Sequence, residues 1–286
     1  MSFLCINEGK MKFGIYSNLS RDIDGRSAIT LARYLEERNI EFAFSKELAK
    51  TAYACAYLPD DELAKTSDVM VIFGGDGTVL HFAKICARHD TPVFAVNVGR
   101  VGFLTESENT CLDCCIDQIL SGDYKLENRT LLNIEVGDMN IDALNECVIS
   151  RGSDLSLMDF EYSINNFHTE KLRSDALIVA TPTGSTAYSL SCGGSIVTPD
   201  VRCILITPVN AYTLNSRPLI VSDDSIIEVA VKNNRPAKIS IDGEENLELT
   251  AGGKVIISKS DIFARFIRFD EGSFYKKLQK KVKITE

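Results

Sequence analysis

The chain has 286 residues, 45% hydrophobic and 25% charged, a balance that suits two folded domains and excludes extensive disorder. Its formal net charge is −9 and its pI about 5.0, so the basic face on which a nucleic-acid binder depends is not expected. No apolar run approaches the ~20 residues that span a bilayer, so no helical membrane span is expected either.

The start, Met1 to Lys12, lacks the apolar core and cleavage site of a signal peptide and reads as a short leader. Phe13–Ser17 reads as a first strand and Ser27–Arg38 as a helix. Val69–Phe73 is a continuous apolar run, the mark of a strand buried on both faces. Val79, Phe82, Ala83 and Cys86 then recur at helical spacing, and Pro92–Asn97 is a second buried strand. Strand, helix and strand at this rhythm predict a parallel sheet of Rossmann-like type. Leu112–Ser121 is expected to be helical, with Cys111, Cys114 and Cys115 on its small apolar face. Nine cysteines, an odd number without a secretion signal, point to reduced thiols. The single C-x-x-C, with only His81, His89 and His168 elsewhere, is too little for a zinc site.

After about Asn128 the segments become short: Leu131–Val136, Ala143–Ser150, Leu155–Asn165, Ala176–Ala180, Cys203–Thr207, Ile226–Val231, Ala237–Ile241 and Lys254–Ser258. Turn residues separate them, as in Asn233-Asn234-Arg235-Pro236, Asp242-Gly243 and Gly252-Gly253. The fold class is therefore α/β plus β: a Rossmann-like domain over 1–127 and a β-rich, sandwich-like domain over 128–265. A Lys-rich helix over Ser273–Lys281, within a tail of about 266–286, is expected to return to the first domain.

The sharpest local signal is Gly74-Gly75-Asp76-Gly77-Thr78. A hairpin is the plain alternative, since Asp-Gly favours a type I′ turn. The periodicity that follows is helical, however, so the glycines join a strand to a helix, where open α/β sheets bind ligands. Glycines admit a phosphate close to the backbone, and the helix N-terminus directs N–H groups at it. A Walker A loop would need Lys-Ser or Lys-Thr after its last glycine, and no G-x-G-x-x-G follows a strand, so phosphoryl transfer gains over hydride transfer. A second glycine loop, Asn97–Leu104, follows the neighbouring strand. The third segment, Thr181–Gly194 after Arg173-Ser174-Asp175 and the strand Ala176–Ala180, is rich in small hydroxylated residues suited to a polar, planar ligand.

Together these segments resemble the NAD kinase family from about Met11 to Ser260. Gly74–Thr78 is similar to the signature shared with diacylglycerol and sphingosine kinases, whereas Asn97–Leu104, Leu144-Asn145-Glu146 and above all Thr181–Gly194 are similar to segments particular to NAD kinases. The resemblance implies transfer of a phosphate from ATP, or from polyphosphate, to the adenosine-ribose 2′-hydroxyl of NAD. It makes Asp76 the general base and a ribose contact, with Gly74, Gly75, Gly77 and Thr78 as the phosphate loop and His81 within reach of the phosphates. Asn145 and Glu146 would hold the adenosine half, and Phe103 would pack beside the adenine. Asp175, with Arg173 nearby, would face the nicotinamide end, and Thr186, Ala187, Tyr188 and Ser191 would line the pocket. The resemblance further implies Mg²⁺ carried by the nucleotide rather than by protein ligands, a homotetramer or homodimer, and a cytoplasmic enzyme. Tyr212, where a His is frequent, and Glu244, where a Gln often follows, depart from the family pattern. A lipid kinase of the same superfamily and a non-catalytic NAD(P) sensor are the alternatives. The first predicts an apolar or basic membrane-facing patch, and the second the loss of the acidic residue that Asp76 retains.

Overall fold

The computed structural model describes residues 11–99, 102–106, 111–152, 156–168, 171–212, 216–233, 236–270 and 272–281. Most of the expected leader, Arg100 and Val101 of the second glycine loop, and Leu155, Asn234 and Arg235 lie outside the described residues. The chain forms two compact units, one built from residues up to Asn128 together with those from Ala264 onward, the other from Arg129–Phe263.

The first unit runs β1 (Lys12–Ser17), α1 (Arg26–Glu37), β2 (Glu41–Ser45), β3 (Tyr57–Leu58), α2 (Asp60–Thr66), β4 (Val69–Gly74), α3 (Asp76–Arg88), β5 (Val93–Asn97) and α4 (Leu112–Ser121). Its strands are parallel in the order β3-β2-β1-β4-β5. All six residues of β4 are buried, as the apolar run requires when both faces of a sheet are covered. On one face Phe13, Ile15, Val71 and Phe73 pack with Leu31 and Leu35 of α1 and Ile116 and Ile119 of α4. On the other, Tyr16 meets Phe82 of α3 with ring centroids 3.9 Å apart. Each such side chain stabilises the unit by roughly 1.5–3 kcal/mol through burial.

The chain continues through β6 (Lys125–Val136), β7 (Met139–Ala143), β8 (Glu146–Ser150), β9 (Met158–Ile164), β10 (Phe167–His168), β11 (Leu172–Ser174), β12 (Ala176–Ala180) and the single turn α5 (Tyr188–Ser191). Then come β13 (Cys203–Val209), β14 (Leu219–Ser222), β15 (Ile227–Val231), β16 (Ala237–Ile241), β17 (Glu245–Leu249), β18 (Lys254–Arg268) and α6 (Ser273–Lys281). In the second unit β10-β9-β15-β18 form one antiparallel layer and β14-β13-β12-β8-β16-β17 another. Phe160, Val229 and Ile257 of the first layer share a core with Ile149, Val179, Ile206 and Ile239 of the second, the arrangement of a sandwich. The end of β18 belongs to the first unit, where Phe266 pairs in parallel with Val93 of β5.

Three sequence expectations are corrected. The segment Ala143–Ser150 is two strands, broken at Leu144-Asn145 where the N–H groups turn towards a carboxylate. The last strand does not stop at Ser258 but runs to Arg268. Of the three cysteines assigned to the apolar face of α4, Cys115 alone is buried, whereas Cys111 and Cys114 are exposed. Cys111 precedes the helix as its N-terminal flanking residue, and Cys114 is turned about 100° from Cys115.

Candidate active site

In the first unit β4 ends at Gly74, Gly75 caps α3 and Asp76 is the first helical residue. The Val79 N–H closes the first turn on the Gly75 carbonyl at 3.1 Å. The N–H groups before it have no carbonyl within the helix to bond, which leaves an anion-binding end. The three glycines differ. A Cβ on Gly74 would lie 2.7 Å from Thr78 Cβ, and one on Gly75 2.6 Å from the Arg21 guanidinium, whereas one on Gly77 would meet only open space. Thr78 is itself held, its hydroxyl accepting from Asn18 Nδ2 at 2.9 Å.

The Asp76 carboxylate faces the second glycine loop. It accepts the N–H of Phe103 at 2.8 Å and of Leu104 at 3.1 Å. A Cβ on Gly102 would overlap the same carboxylate, so only glycine lets the loop approach this closely. Behind the loop lies Arg268, 4% exposed, which donates to the Leu104 carbonyl at 2.9 Å, to Glu106 at 2.8 Å and to Glu127 at 3.1 Å. Helix α6 closes the other side: Phe274 packs on Phe103, Lys277 Nζ reaches the Phe103 carbonyl at 3.4 Å, and Lys281 Nζ stands 3.6 Å from Asp76. Two peptide donors and a cation thus fix the orientation of Asp76.

The second unit builds a polar corner around Asp242, which sits just after β16 in a left-handed turn with φ of 52°. Its carboxylate accepts the N–H groups of Leu144 at 2.9 Å, Asn145 at 2.8 Å and Glu146 at 3.1 Å. Thr181 adds a hydroxyl bond to the Leu144 carbonyl at 2.6 Å and donates its N–H to the Asn145 carbonyl at 2.9 Å. Gly184 touches the Asn145 peptide so closely that a Cβ would overlap it. The hydroxyls of Thr181–Gly194 therefore divide by role. Thr181, Ser185 and Ser189 are buried and bonded within the unit, whereas Thr186 is half-buried and Tyr188 and Ser191 are exposed.

Glu146 is 7% exposed, and its Oε2 has no hydrogen-bond partner among the described residues. Burial, seconded by the Asp242 charge, raises its pKa from 4.5 to about 7, against the pull of a hydrogen bond from the Tyr188 backbone. A buried acceptor without a partner, at the edge of a hydroxyl-rich segment, is where a ligand hydroxyl would be welcome. Asp175 is paired with Arg151 at 2.7 Å and accepts from Asn210 Nδ2 at 2.9 Å; burial chiefly raises the pKa of Tyr188, and the Asp175 charge adds to it.

Of the residues proposed from sequence, Gly74, Gly75, Asp76, Gly77, Thr78 and Phe103 converge in the first unit, with the exposed His81 further along α3. In the second, Asn145 meets Thr181 and Gly184, Glu146 meets the Tyr188 backbone, and Asp175 is in electrostatic reach of Tyr188. Arg173 pairs with Asp159 at 3.4 Å, whereas the ion-pair partner of Asp175 is Arg151. Sequence reasoning missed Asn18, Arg21, Arg151, Arg268 and the anchoring role of Asp242. The Asp242-Gly243 pair was legible as a turn, but nothing local told that its carboxylate is used.

Two family models match the chain, described as the ATP-NAD kinase N-terminal domain over residues 14–124 and the ATP-NAD kinase C-terminal domain over residues 144–269. Among curated proteins, the NAD kinase of Thermoanaerobacter sp. (strain X514) is 36% identical over 278 residues, covering 95% of this chain and 98% of its own. That of Methanopyrus kandleri is 36% identical over 257 residues, with 90% and 91% covered. Among solved structures, an NAD kinase from Archaeoglobus fulgidus in complex with ATP shares the fold at a TM-score of 0.77 and 25% identity, covering 94% of this chain and 99% of that one. Yeast NADH kinase complexed with NADH is alike in fold at a TM-score of 0.89 and 23% identity, with 97% and 89% covered.

Proposed function

The chain belongs to the NAD kinase family and is a phosphotransferase, and from that premise we propose how its residues divide the phosphorylation of NAD to NADP. Asp76 is the general base that takes the proton of the adenosine-ribose 2′-hydroxyl as the new P–O bond forms. The observation that carries this is its carboxylate, pinned by the Phe103 and Leu104 amides at the start of α3 beside the open face of Gly77. A positioned base of this kind is worth ~10²–10⁴ in rate. Gly74, Gly75, Gly77, Thr78 and the first N–H groups of α3 receive the transferring phosphoryl group, and Arg21 adds positive charge at the loop.

Asn145 and Glu146 hold the adenosine half of NAD, a role that the unpartnered Glu146 Oε2 supports. Phe103 packs by the adenine, Thr186, Ala187, Tyr188 and Ser191 line the pocket, Asp175 and Arg173 serve the nicotinamide end, and His81 approaches the phosphates. We assign residues 1–127, with the tail about 266–286, to the phosphate donor and 128–265 to NAD, a division that the compact units support. Mg²⁺ fits as an ion carried by the nucleotide. Among the described residues no group of three or more His, Cys, Asp or Glu side chains could hold a metal ion, so phosphates and water rather than protein carboxylates would complete its shell. Bound there, the ion would neutralise charge on the phosphate oxygens.

ATP is the donor we favour over polyphosphate, in line with the ATP complex of the Archaeoglobus fulgidus relative. The free cysteines suit a cytoplasmic location, and the exposed Phe167, Tyr212, Leu219 and Ile220 suit a homodimer or homotetramer. The lipid-kinase and sensor alternatives are disfavoured by relatives that carry the name NAD kinase. The test is incubation of purified protein with NAD, ATP and Mg²⁺, NADP being measured with an NADP-specific dehydrogenase, with NADH and polyphosphate in parallel arms. NADP from the wild type but not from Asp76→Asn is expected. NADP formed equally well by that variant would remove Asp76 from the mechanism.

A further inference from the structure

The corrected cysteines of α4 form a site of their own, independent of the phosphoryl-transfer reading. Cys111 flanks the N-terminus of this ten-residue helix and Cys114 lies in its first turn, a C-x-x-C spacing that brings two side chains to one helix end. Both thiols are exposed and close enough for each to act on the other's ionisation, and Cys111, in extended backbone, leaves the helix end without a side-chain cap. Cys115 is excluded from the pair, being buried against the core that holds Ile116 and Ile119. Elsewhere among the described residues the free cysteines are buried or half-buried, at Cys55, Cys86, Cys147, Cys192 and Cys203.

We propose that Cys111 and Cys114 are a reversible redox dithiol, closed to an intrahelical disulfide by exchange with a small-molecule disulfide of the glutathione type. The Cys111 thiolate attacks one sulfur of the small disulfide, whose S–S bond breaks and releases one thiolate. Cys114 then gives up its proton and attacks the Cys111 sulfur of the mixed disulfide, releasing the second thiolate. Two protein thiols become one disulfide, the small disulfide becomes two thiols, and the two protons pass to them. The order of attack follows from position: Cys111 flanks the helix N-terminus, whose free N–H groups favour a thiolate there. The neighbouring Cys114 thiol likewise holds Cys111 below the ordinary thiol range, while Cys114 is pushed above it.

The experiment uses the full-length protein, reduced and then exposed at pH 7 to glutathione disulfide, with acid quenching, alkylation and tryptic digestion. Cleavage after Arg100 and Lys125 yields one peptide that carries Cys111, Cys114 and Cys115. The expected result is an internal disulfide in that peptide, reversed by dithiothreitol and formed at least about tenfold faster than any adduct on Cys55 or Cys192. Cys114→Ser should instead trap a glutathione adduct on Cys111, Cys111→Ser should form no disulfide, and Cys115→Ser should close as the wild type does. Circular dichroism and NADP formation check that the variants fold. Thiols of this peptide that stay reduced while Cys55 or Cys192 reacts would overturn the proposal, as would a disulfide that survives Cys111→Ser.

Discussion

Glu146→Gln replaces a buried carboxyl by a neutral group of the same shape, and its effect on stability should depend on pH. The Glu146 pKa of about 7, against 4.5 for an exposed glutamate, corresponds to about 3 kcal/mol between its two protonation states. The folded protein keeps this proton where the unfolded chain has already released it. Native stability therefore falls as pH rises from about 4.5 to about 7 and is level above that. Gln cannot titrate, so this part of the slope disappears. In urea unfolding of ligand-free protein, the variant should match the wild type near pH 4.5 and gain on it by up to about 3 kcal/mol at pH 8. A difference that stays constant across this range, within about 0.5 kcal/mol, would refute the reasoning, because Glu146 would then titrate like an exposed carboxylate. The same variant should bind NAD more weakly, since the charge removed is the one offered to a ligand hydroxyl.

Asp76→Asn should lower turnover by ~10²–10⁴ while NAD binding persists, and lower the melting temperature as well, because an amide cannot accept both the Phe103 and Leu104 N–H groups without setting a donor against a donor. Gly102→Ala should reduce NADP formation nearly as far, through overlap of its Cβ with the Asp76 carboxylate; activity equal to wild type would show that the loop gives way. Asp242→Ala removes the acceptor for three amides and should destabilise the second unit by several kcal/mol, read in urea melts, and weaken NAD binding in calorimetry. Arg268→Met should cost about 3–5 kcal/mol in the first unit, because Glu106, itself buried, is left without its cation. If ligand hydroxyls donate to Glu146, NAD binding at pH 6 should release a proton, seen as a buffer-dependent binding enthalpy.

The alternation of strands and helices in the first unit was legible because β4 and β5 are apolar throughout and α3 carries a helical period. Short or exposed strands were not. β14 shows most of its apolar side chains to solvent, so Leu219–Ser222 has no buried alternation to read. The break at Leu144-Asn145 is invisible locally, because the carboxylate that draws its amides away is contributed by Asp242, 97 residues on from Asn145. Local composition did mark Gly74–Thr78 and Thr181–Gly194, since glycine and hydroxyl clusters break the hydrophobic period. Arg21 and Arg268 are isolated charges, and no pattern distinguishes a guanidinium that braces a loop from one that faces water. The three cysteines failed for another reason: the helix begins at Leu112 as expected, but it turns Cys114 away from the face that buries Cys115 and leaves Cys111 before its first turn.

The three amides gathered by Asp242 also bear on how the protein reaches its native state. Asp242 and the Leu144–Glu146 turn come together only once β16 has paired with β8, across nearly a hundred residues of intervening chain. Closing a loop of that length is among the late, slow steps of folding a β-rich chain. Partly folded forms that lack the β8–β16 pairing therefore have no organised Glu146, and ligand stabilises only the completed sandwich. During refolding, recovery of NAD binding should lag behind recovery of strand content, so the binding corner reports the end of assembly rather than its start.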